Sequence, residues 1–98
     1  MPSRTITTTA EELIPRNRLR KSLAFSNEDP TINCFIKQER VATPTVSTTD
    51  HDHRIAAGSS ISLNFSNDGI EAIQDRWTIV AASGTPRISF FETEEVIR

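Results

Sequence analysis

Apolar residues in this chain alternate with polar ones in short runs, and turn formers interrupt those runs every eight to fifteen residues or so. That period of two fits strands and leaves little length for a long helix. Lys21 to Asn27 sets Leu23 and Phe25 on one face against Ser22, Ala24 and Ser26 on the other. Thr31 to Lys37 does the same with Ile32, Cys34 and Ile36 opposite Asn33, Phe35 and Lys37. Ser60 to Phe65 follows the turn signal Ala57-Gly58-Ser59 and points Ile61, Leu63 and Phe65 inward. Arg76 to Ala82 and Arg87 to Glu92 are predicted to form a hairpin across Ser83-Gly84-Thr85-Pro86, with Gly84 supplying a positive backbone angle.

Three further stretches are less regular. Arg4 to Thr9 is polar, and is predicted to be an edge strand or an arm that gains order by pairing; residues 1–12 are assigned to it. Residues 38–54, Thr-rich and holding Pro44, read as one long exposed loop, and loops of that length in a small domain are usually functional or mobile. Ile70 to Asp75, after the turn signal Asn67-Asp68-Gly69, has room for one helical turn. The fold class expected is therefore all-β, a small antiparallel sandwich or barrel of about six strands over residues 13–92, with a charged tail at 93–98.

At 98 residues there is material for one core, and with 36% apolar residues that core is thin. Association with a partner or with further copies is a natural way to stabilise such a chain. The formal net charge of −2 argues against a nucleic-acid module built on phosphate contacts. Residues 1–40 carry seven basic and five acidic side chains, and residues 41–98 four and eight. The basic group Arg16, Arg18, Arg20 and Lys21 and the acidic group Glu92, Glu94 and Glu95 are either two solvated surfaces or complementary ends of neighbouring copies. No run is apolar enough to cross a membrane, and the first ten residues lack the apolar stretch of a signal peptide, so synthesis and assembly in a cytoplasm are expected. A single cysteine, Cys34, permits no internal disulfide.

Little in the sequence suggests catalysis, and the reading is of a non-enzymatic protein without a cofactor. Asp50-His51-Asp52-His53 offers potential metal ligands, and His51 and His53 would share a face of an extended strand. A structural zinc site needs four ligands, and a polar loop tip explains the run as well. Cys34, between Ile32 and Ile36, reads as an inert buried thiol. Trp77 is expected in the core, although an exposed Trp77 would make a stacking platform for a ligand. Phe90 and Phe91 are adjacent, so one faces the core and the other the opposite side, where a second layer or a partner is needed; Phe35 beside Ile36 follows the same logic.

The run from Leu13 to Asn27, LIPRNRLRKSLAFSN, resembles a segment of small virion proteins of tailed bacteriophages, in which Pro and Asn precede basic residues and an apolar strand ends at Asn. Ile55 to Ile61 (IAAGSSI) is similar to their apolar, glycine-turn and strand segment, and Trp77 to Glu92 to their closing hairpin. The Thr-rich loop departs from the pattern, being longer and poorer in glycine. The resemblance implies a β-sandwich or barrel on a phage particle: a capsid cement or decoration protein binding the major capsid protein, or a tail or head–tail connector component. On that implication Arg16, Arg18, Arg20 and Lys21 contact an acidic capsid surface, Phe91 makes an apolar contact, and the protein is a homo-oligomer found in the virion. A small-ligand or carbohydrate-binding β-module using Trp77 and the 38–54 loop is the competing expectation.

Overall fold

In a computed structural model the described residues are 3–18, 20–39, 43–64 and 74–94. They form eight strands: β1 (Ser3–Thr5), β2 (Glu11–Ile14), β3 (Arg20–Asn27), β4 (Cys34–Gln38), β5 (His53–Ile55), β6 (Ser60–Asn64), β7 (Trp77–Ala81) and β8 (Arg87–Glu94). Two antiparallel four-stranded sheets face each other, one in the order β1-β8-β3-β6 and the other β2-β7-β4-β5. The result is an all-β sandwich and not a closed barrel. Residues 65–73 and 95–98 lie outside the described residues, and with them Phe65, the turn at Asn67 to Gly69, most of the expected helical turn and most of the tail.

Alternation puts the core between the sheets. Leu23, Phe25, Leu63 and Ile88 of the first sheet meet Ile14, Ile36, Ile55, Trp77 and Ile79 of the second, with Cys34 and Ala81 at one end. Phe25 and Trp77 pack edge to face at 6.2 Å, an arrangement aromatic quadrupoles favour. The faces expected for β3 and β6 hold: Leu23, Phe25 and Leu63 are buried, and Ile61 packs against the core. β8 behaves as its paired aromatics require, with Phe90 inward and Phe91 outward.

The hairpin expected between residues 76–82 and 87–92 does not form. β7 is hydrogen-bonded to β2 and β4, and β8 to β1 and β3, so both edges of each strand are taken by other partners. Gly84 does have a positive φ of 58°, but the link it serves crosses from one sheet to the other. A Cβ on Gly84 would meet Ile32 Cδ1 at 2.9 Å, so this arch packs closely as well as turning sharply. Asn27 organises another of the crossings, from β3 to β4. Its Nδ2 donates to the carbonyls of Ile32 and Ile55, and Asp29 then accepts from the backbone of Thr31 and Ile32.

The N-terminal segment is an edge strand and not a free arm. β1 pairs with β8 of its own chain, Ile6 is fully buried, and Arg4 reaches across to the Glu12 carbonyl and the Glu11 carboxylate of β2. Glu11 and Glu12, assigned by sequence to the arm, belong to the second sheet.

The long loop is also more structured than its polarity suggests. Its ends are strand, with Gln38 in β4 and His53 and Arg54 in β5. Its described middle, residues 43–52, folds back over the outer face of the second sheet. Val46 covers Phe35 and Val80 there, with Ala10 beside them. Phe35 is thus buried by its own chain and needs no second subunit. Glu39, itself buried, pins this strap by accepting hydrogen bonds from the backbone and hydroxyl of Thr45 and from the hydroxyl of Thr78, at 2.9, 2.6 and 2.6 Å. Lys37 adds an ion pair to Asp50 at 2.8 Å, and the Asp52 carboxylate accepts from Gln38 N–H.

Arg20, the first residue of β3, is 1% exposed. Its guanidinium pairs with Glu92 of β8 through Nε, and donates to the carbonyls of Asp75 and Pro15 at 3.1 and 2.8 Å. Arg20→Ala is expected to lose about 3 kcal/mol of stability, because removing one member of a buried ionic group strands the others. Urea unfolding of the variant against wild type checks this.

A second expectation concerns acid. Burial raises the Glu39 pKa, but the hydrogen bonds from Thr45 and Thr78 and the charge of Lys37 lower it by more, leaving it below the ordinary value. A depressed carboxylate contributes stability above its unfolded pKa and loses it as pH falls through the folded one. The stability gap between wild type and Glu39→Gln, measured by denaturant unfolding, should be largest near neutrality and close as the solution is acidified through and below the normal carboxylate range.

Candidate functional site

Antiparallel pairing of β3 with β8 sets the start of one strand beside the end of the other, so Arg20 and Lys21 of the basic cluster share one end of the sandwich with Glu92 and Glu94 of the acidic one, Glu95 lying outside the described residues. Arg20 lies opposite Glu94 in register and pairs with Glu92. The contact between Arg20 and Glu92 is made inside the chain. Arg20 is therefore corrected as a partner-binding residue: it is buried in that contact and presents no charge to a partner.

Arg16, Arg18 and Lys21 remain exposed at this end. The segment that carries Arg16 and Arg18 is held by Arg20 and by Gln74. Arg20 donates to Pro15 O, Asn17 N–H donates to Gln74 O at 2.8 Å, and Gln74 Nε2 donates to Arg18 O at 2.6 Å. Backbone restrained in this way presents cations at a defined spacing, which lowers the entropy lost on docking. Arg16 and Arg18 are thus exposed on backbone that is hydrogen-bonded on either side of them.

Phe91 is the one exposed large hydrophobic side chain among the described residues, at 47%. It stands on the outer face of the first sheet, opposite Ala24 in register. Small side chains surround it, with Ser22, Ala24 and Ser26 on β3, Ser60 and Ser62 on β6, and Ser89 and Thr93 on β8, while Arg87 and the Glu28 carboxylate, which accepts from the buried Ser89, occupy one end of the face. A shallow hollow of about 220 Å³ lies there, lined by Ala24, Ser26, Glu28, Ser60 and Ser89 and floored by Phe25. The two outer faces of the sandwich differ in kind: one is strapped over by the chain, the other is bare.

His51 and His53 do not converge. A bend at Asp52, whose N–H donates to Ile36 O, sends the two rings apart. His51 packs on Phe35 at 4.6 Å, on the strap side of the second sheet, whereas His53 lies 6.0 Å from Trp77 on the inner side. Among the described residues no group of three His, Cys, Asp or Glu side chains is arranged to hold a metal ion. Trp77 is 1% exposed, so it offers no face for ligand stacking and its part in a carbohydrate site falls away. Cys34 is fully buried, and desolvation, with a smaller contribution from the charge of Asp29, pushes its thiol up to about 11. Among the described residues no helix is long and apolar enough to cross a membrane.

No family model, curated protein or solved structure matches this chain. The interaction surfaces are accordingly read from their own chemistry. The basic end was legible in the sequence as a run of cations, but the exclusion of Arg20 from it was not. The bare serine-rich face was missed, because serines spread over three strands have no sequence signature until register aligns them.

Burial of Trp77 and Cys34 has a direct readout. Trp77 emission should be blue-shifted and poorly quenched by iodide in the native state, and both features should disappear in urea. Cys34 should resist a thiol reagent at pH 8 until the protein unfolds, because little thiolate forms at that pH and access is closed.

Proposed function

We propose that this chain is a structural protein of a phage virion, a cement or decoration protein that binds the major capsid protein and steadies the head shell. The observation that carries the reading is the basic end, where Arg16 and Arg18 are exposed on a connection tied to the buried Arg20 and to Gln74, and Lys21 is exposed beside it at the start of β3. Exposed cations on a stiff frame suit docking on an acidic surface, where they speed and orient association more than they tighten it. The resemblance of Leu13 to Asn27 to small virion proteins supports the same assignment, since it covers this very connection. An all-β sandwich without dependence on disulfides is a suitable part to be made and assembled in a host cytoplasm. Many copies on one shell would add up by avidity even if each contact were modest. The N-terminal strand is not part of the docking surface in this reading, because β8 and the core already hold it.

Imaging the particles of the phage or prophage that encodes the chain tests the proposal directly. Symmetric copies over junctions between capsid subunits are expected; density confined to the tail or connector would move the role within the virion, and absence from the particle would overturn it. Purified protein should bind particles stripped of it, with binding weakened by salt because exposed charges are screened. The combined charge reversal Arg16→Glu, Arg18→Glu and Lys21→Glu should lower that binding by about tenfold or more, while unfolding remains near wild type.

A further inference from the structure

The strap over the second sheet is attached in a way unlike any strand. Of residues 43–50 only Val46 is buried, and among the described residues the backbone–backbone hydrogen bonds of this stretch run between Ser47 and Asp50, at 2.9 and 3.2 Å. His51 Nδ1 closes the same turn on Ser47 O at 3.1 Å. The stretch is folded on itself and joins no ladder, whereas β4 and β7 beneath it are laddered to each other and to β5 and β2.

Two side chains tie it down, Lys37 of β4 and Glu39 just beyond the end of that strand. Lys37 Nζ donates to Thr45 Oγ1 at 3.1 Å and pairs with Asp50. Thr45 Oγ1 donates in turn to Glu39 Oε2, while Thr45 N–H and Thr78 Oγ1 both donate to Glu39 Oε1. One carboxylate thus accepts three hydrogen bonds, two from the strap and one from the sheet beneath it.

We propose that residues 43–51 are an acid-released strap, which lifts from the second sheet as a unit when the Glu39 carboxylate takes a proton and uncovers Phe35 and Val80 while the two sheets stay together. A protonated carboxyl must donate from one oxygen and accepts more weakly at the other, so it cannot serve three donors as the anion does. A proton on Oε2 removes the acceptor of the Thr45 hydroxyl and ends the chain that runs from Lys37 through Thr45 to Glu39. Burial pushes the Glu39 carboxyl up, but Thr45, Thr78 and Lys37 together hold it below its ordinary value. Closure therefore favours the anion, and its contribution is lost as pH falls through the closed-state value.

Besides Lys37, the titratable and charged groups described on this face are Asp50, His51 and Asp52 of the strap, Arg54 of β5, and Glu12 of β2 with Arg76. Asp50 is held by Lys37, Asp52 by Gln38 N–H, His51 by Phe35 and Ser47 O, and Glu12 by Arg76, while Arg54 lies opposite Phe35 in register. Lys37 is the one whose charge acts on Glu39. Lifting the strap separates Val46 from Phe35 and Val80 but leaves Trp77, Cys34 and the rest of the inner core between the sheets. An element with few buried contacts and no ladder opens ahead of the whole domain. The acid form then presents an apolar patch that the neutral form covers. Release is a property of the isolated chain, independent of what the basic end binds.

Val46→Cys puts a thiol under the strap, and the native Cys34 marks opening of the sandwich itself. A pyridyl disulfide reagent, with rates taken relative to a free thiol at the same pH, should label the Val46→Cys thiol severalfold faster as pH falls from neutrality through the ordinary carboxylate range. Over that range Cys34 should stay protected and Trp77 emission unshifted. Adding Glu39→Gln should bring the faster labelling to neutral pH and remove most of its dependence on acid. In unsubstituted protein, protection of the Thr45 amide against hydrogen exchange should fall over the same range while amides of β3 and β8 keep theirs, a readout that stands even where a variant folds poorly. Labelling of the two thiols only in step, Thr45 protection that does not fall in acid, or an acid dependence as large with Glu39→Gln as without it would each overturn the proposal.

Discussion

Arg20 is the group on which the rest of the architecture leans. A guanidinium with 1% exposure can be tolerated only if its donors are used, and here they reach Glu92 on the neighbouring strand and the carbonyls of Pro15 and Asp75 in two separate connections. One planar, multiply donating cation thereby joins four segments at one end of the sandwich, which a lysine with a single ammonium would not do in the same geometry. Closing that end fixes the approach to β3, the start of β7 and the register in which β8 arrives. The basic connection carrying Arg16 and Arg18 owes its definition to the same contact.

The two sheets solve the problem of their outer faces differently. On the second sheet, Phe35 and Val80 are opposite each other in register and would form an apolar patch, but the polar loop returns over them, anchored by Glu39 and Lys37. On the first sheet, alternation sends serines and alanine outward, so solvent is acceptable everywhere except at Phe91. The chain thus spends its longest loop on one face and leaves the other exposed. The basic end, the surface proposed for association, lies where the chain makes no cover for itself.

Much of the strand content was legible because alternation at period two is imposed by the pleat itself. Leu23 and Phe25, Ile61 and Leu63, Cys34 and Ile36, and the opposed Phe90 and Phe91 all fell on the faces read for them. Two strands escaped notice for a physical reason. β2 contributes only Leu13 and Ile14 to the core, and β5 only Ile55, so neither shows enough alternation to stand out from a polar neighbourhood. The strap escaped notice because burying it depends on Glu39 meeting Thr45 and Thr78, partners up to 39 residues apart.

The sequence alone determined the class of fold, the burial of Cys34 and the inward sets of β3, β4 and β6, and placed Trp77 in the core ahead of the surface, since these follow from residue type and side-chain alternation within a few positions. It did not determine which strands pair. A five-residue link with a positive-φ glycine serves a hairpin and a crossing arch equally well, and only competition among all eight strands for edges decided that β7 and β8 lie in different sheets. For the same reason the histidines were parted, the charged clusters joined and Arg20 withdrawn from the surface. Each outcome depends on contacts between distant residues, which are chosen by the packing of the whole sandwich and by no local stretch of chain.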